Sequence, residues 1–230
     1  MPALPIALSS HSISSSIVML SQPKAVGIID YGTGNIASLD QAFAELGATT
    51  RRIQSPEQLH HLDAVVLPGV GHFGPSRQTL QASGVQEALI SLIRKGLPTL
   101  GICLGFQLLT DGSDEAPQAD GLAFLPLRTE RLRPTNTKLH KVPHLGWNSL
   151  EIPTDPPKLL AGIAPHDQLF YFANAYAIPP NASLCGPQAL YQHERPWLAM
   201  VEQANIHGVQ FHPEKSRSQG LQLLRNFLAI

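Results

Sequence analysis

The chain has 230 residues, 16 of them Lys or Arg and 17 Asp or Glu, with a formal charge of −1, and it is 43% hydrophobic and 14% charged. That length carries one well-buried α/β core, and the composition excludes a disordered or fibrous protein. The near-neutral charge gives no case for a nucleic-acid or anionic-membrane partner, and no apolar run approaches the roughly 20 residues needed to span a bilayer.

The opening stretch "MPALPIALSSHSISSSIVMLSQPK" is rich in Ser and Pro and has no acidic residue. It lacks the charged start of a secretory signal and the arginines of a transit peptide. Residues 1–23 are therefore expected to be either a disordered extension or the product of a start assigned too early, with Met19 as the alternative start. Residues 24–230 are expected to form a single domain.

"KAVGIID" reads as a buried strand, and "YGTGN" as a glycine turn into the helix "NIASLDQAFAELG". There Ile36, Leu39, Phe43 and Leu46 recur at helical spacing, Asn35 can cap the start and Gly47 can end it. "ATTRRI" reads as a second strand, "SPEQLH" as a capped helical turn, and "LDAVVLP" as a third strand buried on both faces, followed by the loop "GVGHFG". "VQEALISLIRKG" is a helix closed by glycine, and "LPTLGIC" is the next buried strand. Alternation of this kind predicts a flavodoxin-like, mostly parallel sheet flanked by helices, with functional groups at the carboxyl ends of the strands.

Beyond Thr110 the pattern loosens. "RLRPTNTKLHKVPH" is polar and basic, while "QLFYFANAYAI", "ASLCGPQALY", "PWLAMVEQ" and "IHGVQFH" are short β-like runs expected as antiparallel strands beside the parallel core. The chain closes on "SQGLQLLRNFL", where Leu221, Leu224, Phe227 and Leu228 make an apolar helical stripe.

"GICLG" sits between a buried strand and a helix, the setting of a strand–nucleophile–helix elbow in which flanking glycines permit a tight turn. Cys103 is then either a thiolate nucleophile favoured by a helix N-terminus or a small buried hydrophobe. A nucleophile needs a base. In "GVQFHPEKS", His212 and Glu214 are two apart, which in an extended segment puts the carboxylate on the side of the imidazole it would orient. Cys103, His212 and Glu214 together make a Cys-His-acid triad. Attack on a carbonyl also needs oxyanion donors. The glycines of "LPGVG" let backbone amides enter the site, so Val70 or Gly71 can pair with the amide of Leu104. "GTGN" lacks the third glycine and the following acidic residue of a dinucleotide loop. His212 with Glu214, or His60 with His61, lacks the further ligands of a zinc site, and two cysteines with no CxxC pair indicate neither zinc nor a disulfide framework. A reducing cytoplasm fits that usage.

"GICLGFQLL" and "GVQFHPEKS" together resemble the class I, or triad, glutamine amidotransferases. Within that family "IDYGTGNIASL", "LPGVGHFG", "VPHLGWN" and "HPEKS" are similar to the glutaminase subunits of imidazole glycerol phosphate synthases, over Lys24 to Ile230. The resemblance implies that Cys103 attacks the side-chain amide of L-glutamine, His212 carries the proton to the leaving ammonia and Glu214 holds the imidazole. It implies glutamine binding by Gly69, Gln107, Glu115, Asn174 and Ala175, and an oxyanion hole completed when the Val70 amide turns inward. It implies a heterodimer with a cyclase subunit through Asn35, Trp147 and Lys215, passage of ammonia to that subunit, and no cofactor or metal for the glutaminase half. Relatives read "YFVHSYY" where this chain has "YFANAYAI", so Asn174 and Ala175 replace a His-Ser pair. Two rival readings remain open: a glutaminase serving another synthase, or a partner-binding homologue without turnover.

Overall fold

A computed structural model describes residues 23–32, 35–181 and 184–230; the opening segment read as an extension lies outside the described residues except at its last position. Strands β1 (Ala25–Ile29), β2 (Thr49–Ile53), β3 (Ala64–Leu67), β4 (Thr99–Ile102) and β12 (Ile206–Val209) run parallel in the order β2-β1-β3-β4-β12, the flavodoxin-like order. Two antiparallel strands, β11 (Arg195–Gln203) and β10 (Gln188–His193), extend the sheet beyond β12. β12 was expected among the antiparallel strands. It pairs antiparallel with β11 but parallel with β4, so it belongs to the core as much as to the extension.

Helices α1 (Ile36–Glu45) and α5 (Arg217–Leu228) cover one face. α2 (Phe73–Ala82), α3 (Val85–Arg94) and the short α4 (Leu104–Leu108) cover the other. β3, β4 and β12 are buried at every position, as strands with helices on both faces must be. β2 is an edge strand and keeps Arg51 and Arg52 exposed. Gly47, at φ +77°, ends α1 in the left-handed region, whereas Asn35 sits at its start without a side-chain capping bond.

α2 is absent from the sequence reading because Gly74 and Pro75 look like loop residues. Within a first turn proline leaves no needed amide unpaired, and Phe73 and Leu80 anchor the helix. Away from the main sheet, β5 (Thr110–Ser113), β6 (Leu125–Arg131) and β9 (Tyr176–Ala177) make a small sheet, and β7 (His144–Ser149) pairs with β8 (Leu169–Asn174) as a two-stranded ribbon. Among the described residues no helix is long and apolar enough to cross a membrane.

Behind this ribbon three histidines crowd together, His193 lying 4.5 Å from His144 and 5.1 Å from His140 between ring centroids. Burial, then the neighbouring His193 and His140, pull His144 down to about 4. The unfolded chain therefore binds a proton near pH 6.5 that the folded chain refuses until about pH 4, so stability falls as pH drops through that window. Solvent reaches part of the ring, which limits the loss to about 1–2 kcal/mol. Urea midpoints at pH 7 and 4.5 should diverge less in His144→Gln than in the parent; an equal divergence would assign the acid sensitivity elsewhere.

Candidate active site

The loops following β3, β4 and β12 leave three adjacent parallel strands at their carboxyl ends, and each delivers one part of the site. Cys103 follows β4 directly. Its backbone is at φ +46°, ψ −102°, its amide donates to the Val209 carbonyl at 2.7 Å, and α4 begins at the next residue. A non-glycine residue there costs on the order of 1–3 kcal/mol, a strain the flanking structure has to hold. Neither Gly101 nor Gly105 supplies the turn, since neither has positive φ. Their role is close packing. A Cβ on Gly105 would lie 1.9 Å from the Leu67 carbonyl oxygen, and one on Gly101 would lie 2.7 Å from the Phe106 backbone nitrogen. α4 has only five residues, so less of the positive field expected from a helix N-terminus is available to the sulfur.

His212 follows β12 and is fully buried. The extended geometry expected for "HPE" is not what forms: Pro213 opens a 3-10 turn over Pro213–Lys215, closed by Ser216 Oγ donating to the His212 carbonyl at 2.6 Å. The turn still brings Glu214 Oε1 within 2.8 Å of His212 Nδ1, both side chains being almost wholly covered. With Nδ1–H donated to the carboxylate, Nε2 is left for the sulfur side, and it has no hydrogen-bond partner of its own. Burial alone would lower His212, but the negative charge of Cys103 on one side and the Glu214 carboxylate on the other outweigh that and push it up to about 10.

"PGVG" follows β3. The Gly69 carbonyl accepts from the Leu104 amide at 3.5 Å, and the hydroxyl of buried Tyr31 donates to the Pro68 carbonyl just before it. Because a peptide is planar, a Gly69 carbonyl that faces Leu104 turns the Val70 N–H the other way. The two candidate oxyanion donors are thus not aimed at one point: the amide of Leu104 is covered and that of Val70 faces out. Gly69 itself lies tight against the base, with room for a Cβ only 3.0 Å from His212 Cε1.

Cys103 and the Gly69–Gly71 loop open onto a cavity of about 410 Å³, whereas His212 and Glu214 do not line it. Gly69, Val70, Gly71, Cys103, Leu104, Gln107, Glu115, Asn174 and Ala175 are among the residues that line it. Gln107 Nε2 donates to the Tyr176 carbonyl at 3.2 Å and to Gln210 Oε1 at 3.3 Å. Glu115 accepts from the Phe73 amide at 3.0 Å and meets His72 Nδ1 at 2.8 Å, which leaves a carboxylate at the cavity rim. Asn174 turns its amide to the Tyr176 carbonyl at 2.9 Å and the Tyr191 hydroxyl at 3.1 Å. Its side chain therefore braces the strand, and what Ala173–Ala175 offers the cavity is largely backbone. Three residues escape the sequence reading: Tyr31, His72 and Gln210. Gln210 was findable, since the two-residue spacing that singles out Glu214 after His212 applies equally before it.

Asn35, Trp147 and Lys215 line none of this cavity. Lys215 is exposed on the turn that carries Glu214, which packs against α1, and Trp147 sits in β7 opposite Tyr171 with the Arg217 guanidinium 4.9 Å from its ring centre. Leu145, Trp147 and Leu169 share one face of the β7–β8 ribbon at 64%, 37% and 41% exposure, an exposed apolar patch.

The family described as glutamine amidotransferase class-I matches residues 27–230. The imidazole glycerol phosphate synthase subunit HisH of Methanothermobacter thermautotrophicus is 43% identical over 205 residues, covering 89% of this chain and 98% of that one. The imidazole glycerol phosphate synthase hisHF of Schizosaccharomyces pombe is 36% identical over 208 residues, 88% of this chain but 38% of that longer protein. Among solved structures, a glutamine amidotransferase superposes with a TM-score of 0.69 at 20% identity, over 89% of this chain and 97% of the other, which speaks to fold alone.

Proposed function

Since the chain belongs to the class-I glutamine amidotransferases, we propose that it is the glutaminase subunit of an imidazole glycerol phosphate synthase in histidine biosynthesis, acting in the cytoplasm as one half of a heterodimer with the cyclase subunit. Cys103, His212 and Glu214 carry the chemistry. The thiolate of Cys103 attacks the side-chain amide carbon of L-glutamine, and the C–N bond breaks as His212 gives its proton to the departing nitrogen. Forming the thioester removes the negative charge that held the proton on His212. Burial then works unopposed except by Glu214, so the proton leaves where the reaction needs it. Water, deprotonated by the same imidazole, attacks the thioester; glutamate leaves and the thiolate returns. No organic cofactor or metal enters these steps.

The observation that carries this reading is the 2.8 Å His212–Glu214 pair set beside a strained Cys103 at the ends of neighbouring strands. The exposed apolar face of the ribbon, with Lys215 beside it, suits a docking surface for the cyclase, and the yeast protein whose name joins both halves supports that partnership. The test is co-purification with the cyclase subunit and glutamate release in the mixture. Failure to associate would overturn the assignment of partner while leaving the glutaminase intact. Lys215→Ala should keep the fold and lower the ratio of stimulated to basal glutamate release by about tenfold, the range for a partly desolvated charge pair; an unaltered ratio would remove Lys215 from the interface.

A further inference from the structure

The triad accounts for the base but not for how the sulfur is held. A hydrogen bond reaches Cys103 Sγ from Gln210 Nε2 at 3.4 Å. Gln210 is wholly buried, and its backbone is fixed by its amide donating to the Ala199 carbonyl at 2.8 Å. The side-chain orientation is forced by a chain of donors. The Tyr176 carbonyl can only accept, so the nitrogen of Gln107 must be the atom facing it at 3.2 Å. The second N–H of that amide points to Gln210 at 3.3 Å, so Gln210 must present its oxygen there and its nitrogen to the sulfur. An amide in the opposite sense would set two N–H groups against each other and an oxygen against a thiolate.

We propose that Gln210 is a fourth catalytic residue, a donor that fixes the Cys103 sulfur in the elbow and stabilises its negative charge, and that Gln107 orients it. This rests on the glutaminase reading for its role in turnover, but not for its effect on the sulfur. Other ionisable groups around the thiol are His212 with Glu214 behind it, and Tyr31 and Tyr191, whose phenols burial keeps neutral. None of them replaces an amide donor on the Gln210 side. The short α4 leaves that donor a larger share of the work.

The test alkylates the full-length protein with iodoacetamide at pH 7 and follows the Cys103 peptide by mass spectrometry, which separates it from Cys185. Gln210→Met keeps length and bulk but donates nothing. The expected result is alkylation and kcat both slower by on the order of tenfold, with KM and melting temperature close to the parent. Gln107→Met should also slow alkylation, although it never touches the sulfur. If Gln210→Met does not fold, Gln210→Glu has the same shape and only accepts; it should be slower still. Parent-like alkylation in the folded Gln210 variant would overturn the proposal, and parent-like alkylation in Gln107→Met would overturn the orienting role. Because the assay uses no glutamine, it stands even if the chain proves not to be a glutaminase.

Discussion

Cys103→Ala is expected to reduce glutamate release by at least about 10⁴-fold, to the level of the uncatalysed reaction assisted only by binding, with the fold retained. Cys103 is 6% exposed and the substituted side chain is smaller by one atom, so the core loses little. What is lost is the covalent step. His212→Ala should cost nearly as much, because a neutral thiol facing no base is a poor nucleophile at neutral pH. The double variant should be no worse than either single one, since the two side chains act as a unit. Glutamate release by a coupled assay, beside circular dichroism, decides it. Parent-like turnover in Cys103→Ala would sink the acyl-enzyme mechanism, and strictly additive losses would mean that Cys103 and His212 work in separate steps.

The elbow and the "HPE" segment were legible in the sequence because the reacting groups sit where regular elements end, and those ends are marked by glycine, proline and a change of periodicity. β3 and β4 are short apolar runs buried on both faces, so their existence and parallel partners follow from alternation with helices, whereas β12 follows strand β11 instead of a helix, which hides its parallel partner β4. The conformation at the ends was less legible. "GICLG" suggests that glycine makes the turn, but Cys103 takes the positive φ while Gly105 makes room for the Leu67 carbonyl. "HPE" suggests an extended pair, but proline starts a 3-10 turn that reaches the same hydrogen bond. Residue identity fixes which group is available; the tertiary neighbours decide how it arrives.

Side chains that act through another group left weaker marks. Gln210 lies in an apolar run, marked only by its two-residue spacing from His212, and Tyr31 lies in a glycine turn where nothing local shows that it reaches the Pro68 carbonyl. β5, "TDGS", and β7, "HLGWNS", carry little strand propensity of their own. They are strands because β6 and β8 offer them a ladder. The Asn174–Ala175 departure matters to glutamine binding if the pocket wall contacts the ligand through side chains and little if it does so through backbone. With Asn174 bracing the Tyr176 carbonyl and the Tyr191 hydroxyl, the change falls on the support of the strand more than on its contact with ligand.

Docking of the cyclase is expected to raise glutamate release by on the order of 100- to 1000-fold, the usual worth of one oxyanion donor. Without the partner the Gly69 carbonyl occupies the direction the developing oxyanion needs, and the Leu104 amide is turned to it at 3.5 Å. A bond that long is weak, so turning the Gly69–Val70 peptide over sacrifices little. Rotation exchanges an inward carbonyl for an inward Val70 amide, the one donor gained, and releases the Leu104 amide from its weak bond to the Gly69 carbonyl at the same moment. Gly69 tolerates the new dihedrals and Gly71, already at φ +127°, absorbs the change beyond Val70. Tyr31 holds the Pro68 carbonyl fixed, which confines the motion to the next peptide. Val70→Pro has no amide to turn in. With the cyclase bound, measured by co-purification, it should fall short of the parent's stimulated rate by that same 100- to 1000-fold. A variant that binds the cyclase and is still fully stimulated would place the second donor elsewhere, with the Gly71 amide the next candidate along the loop after β3.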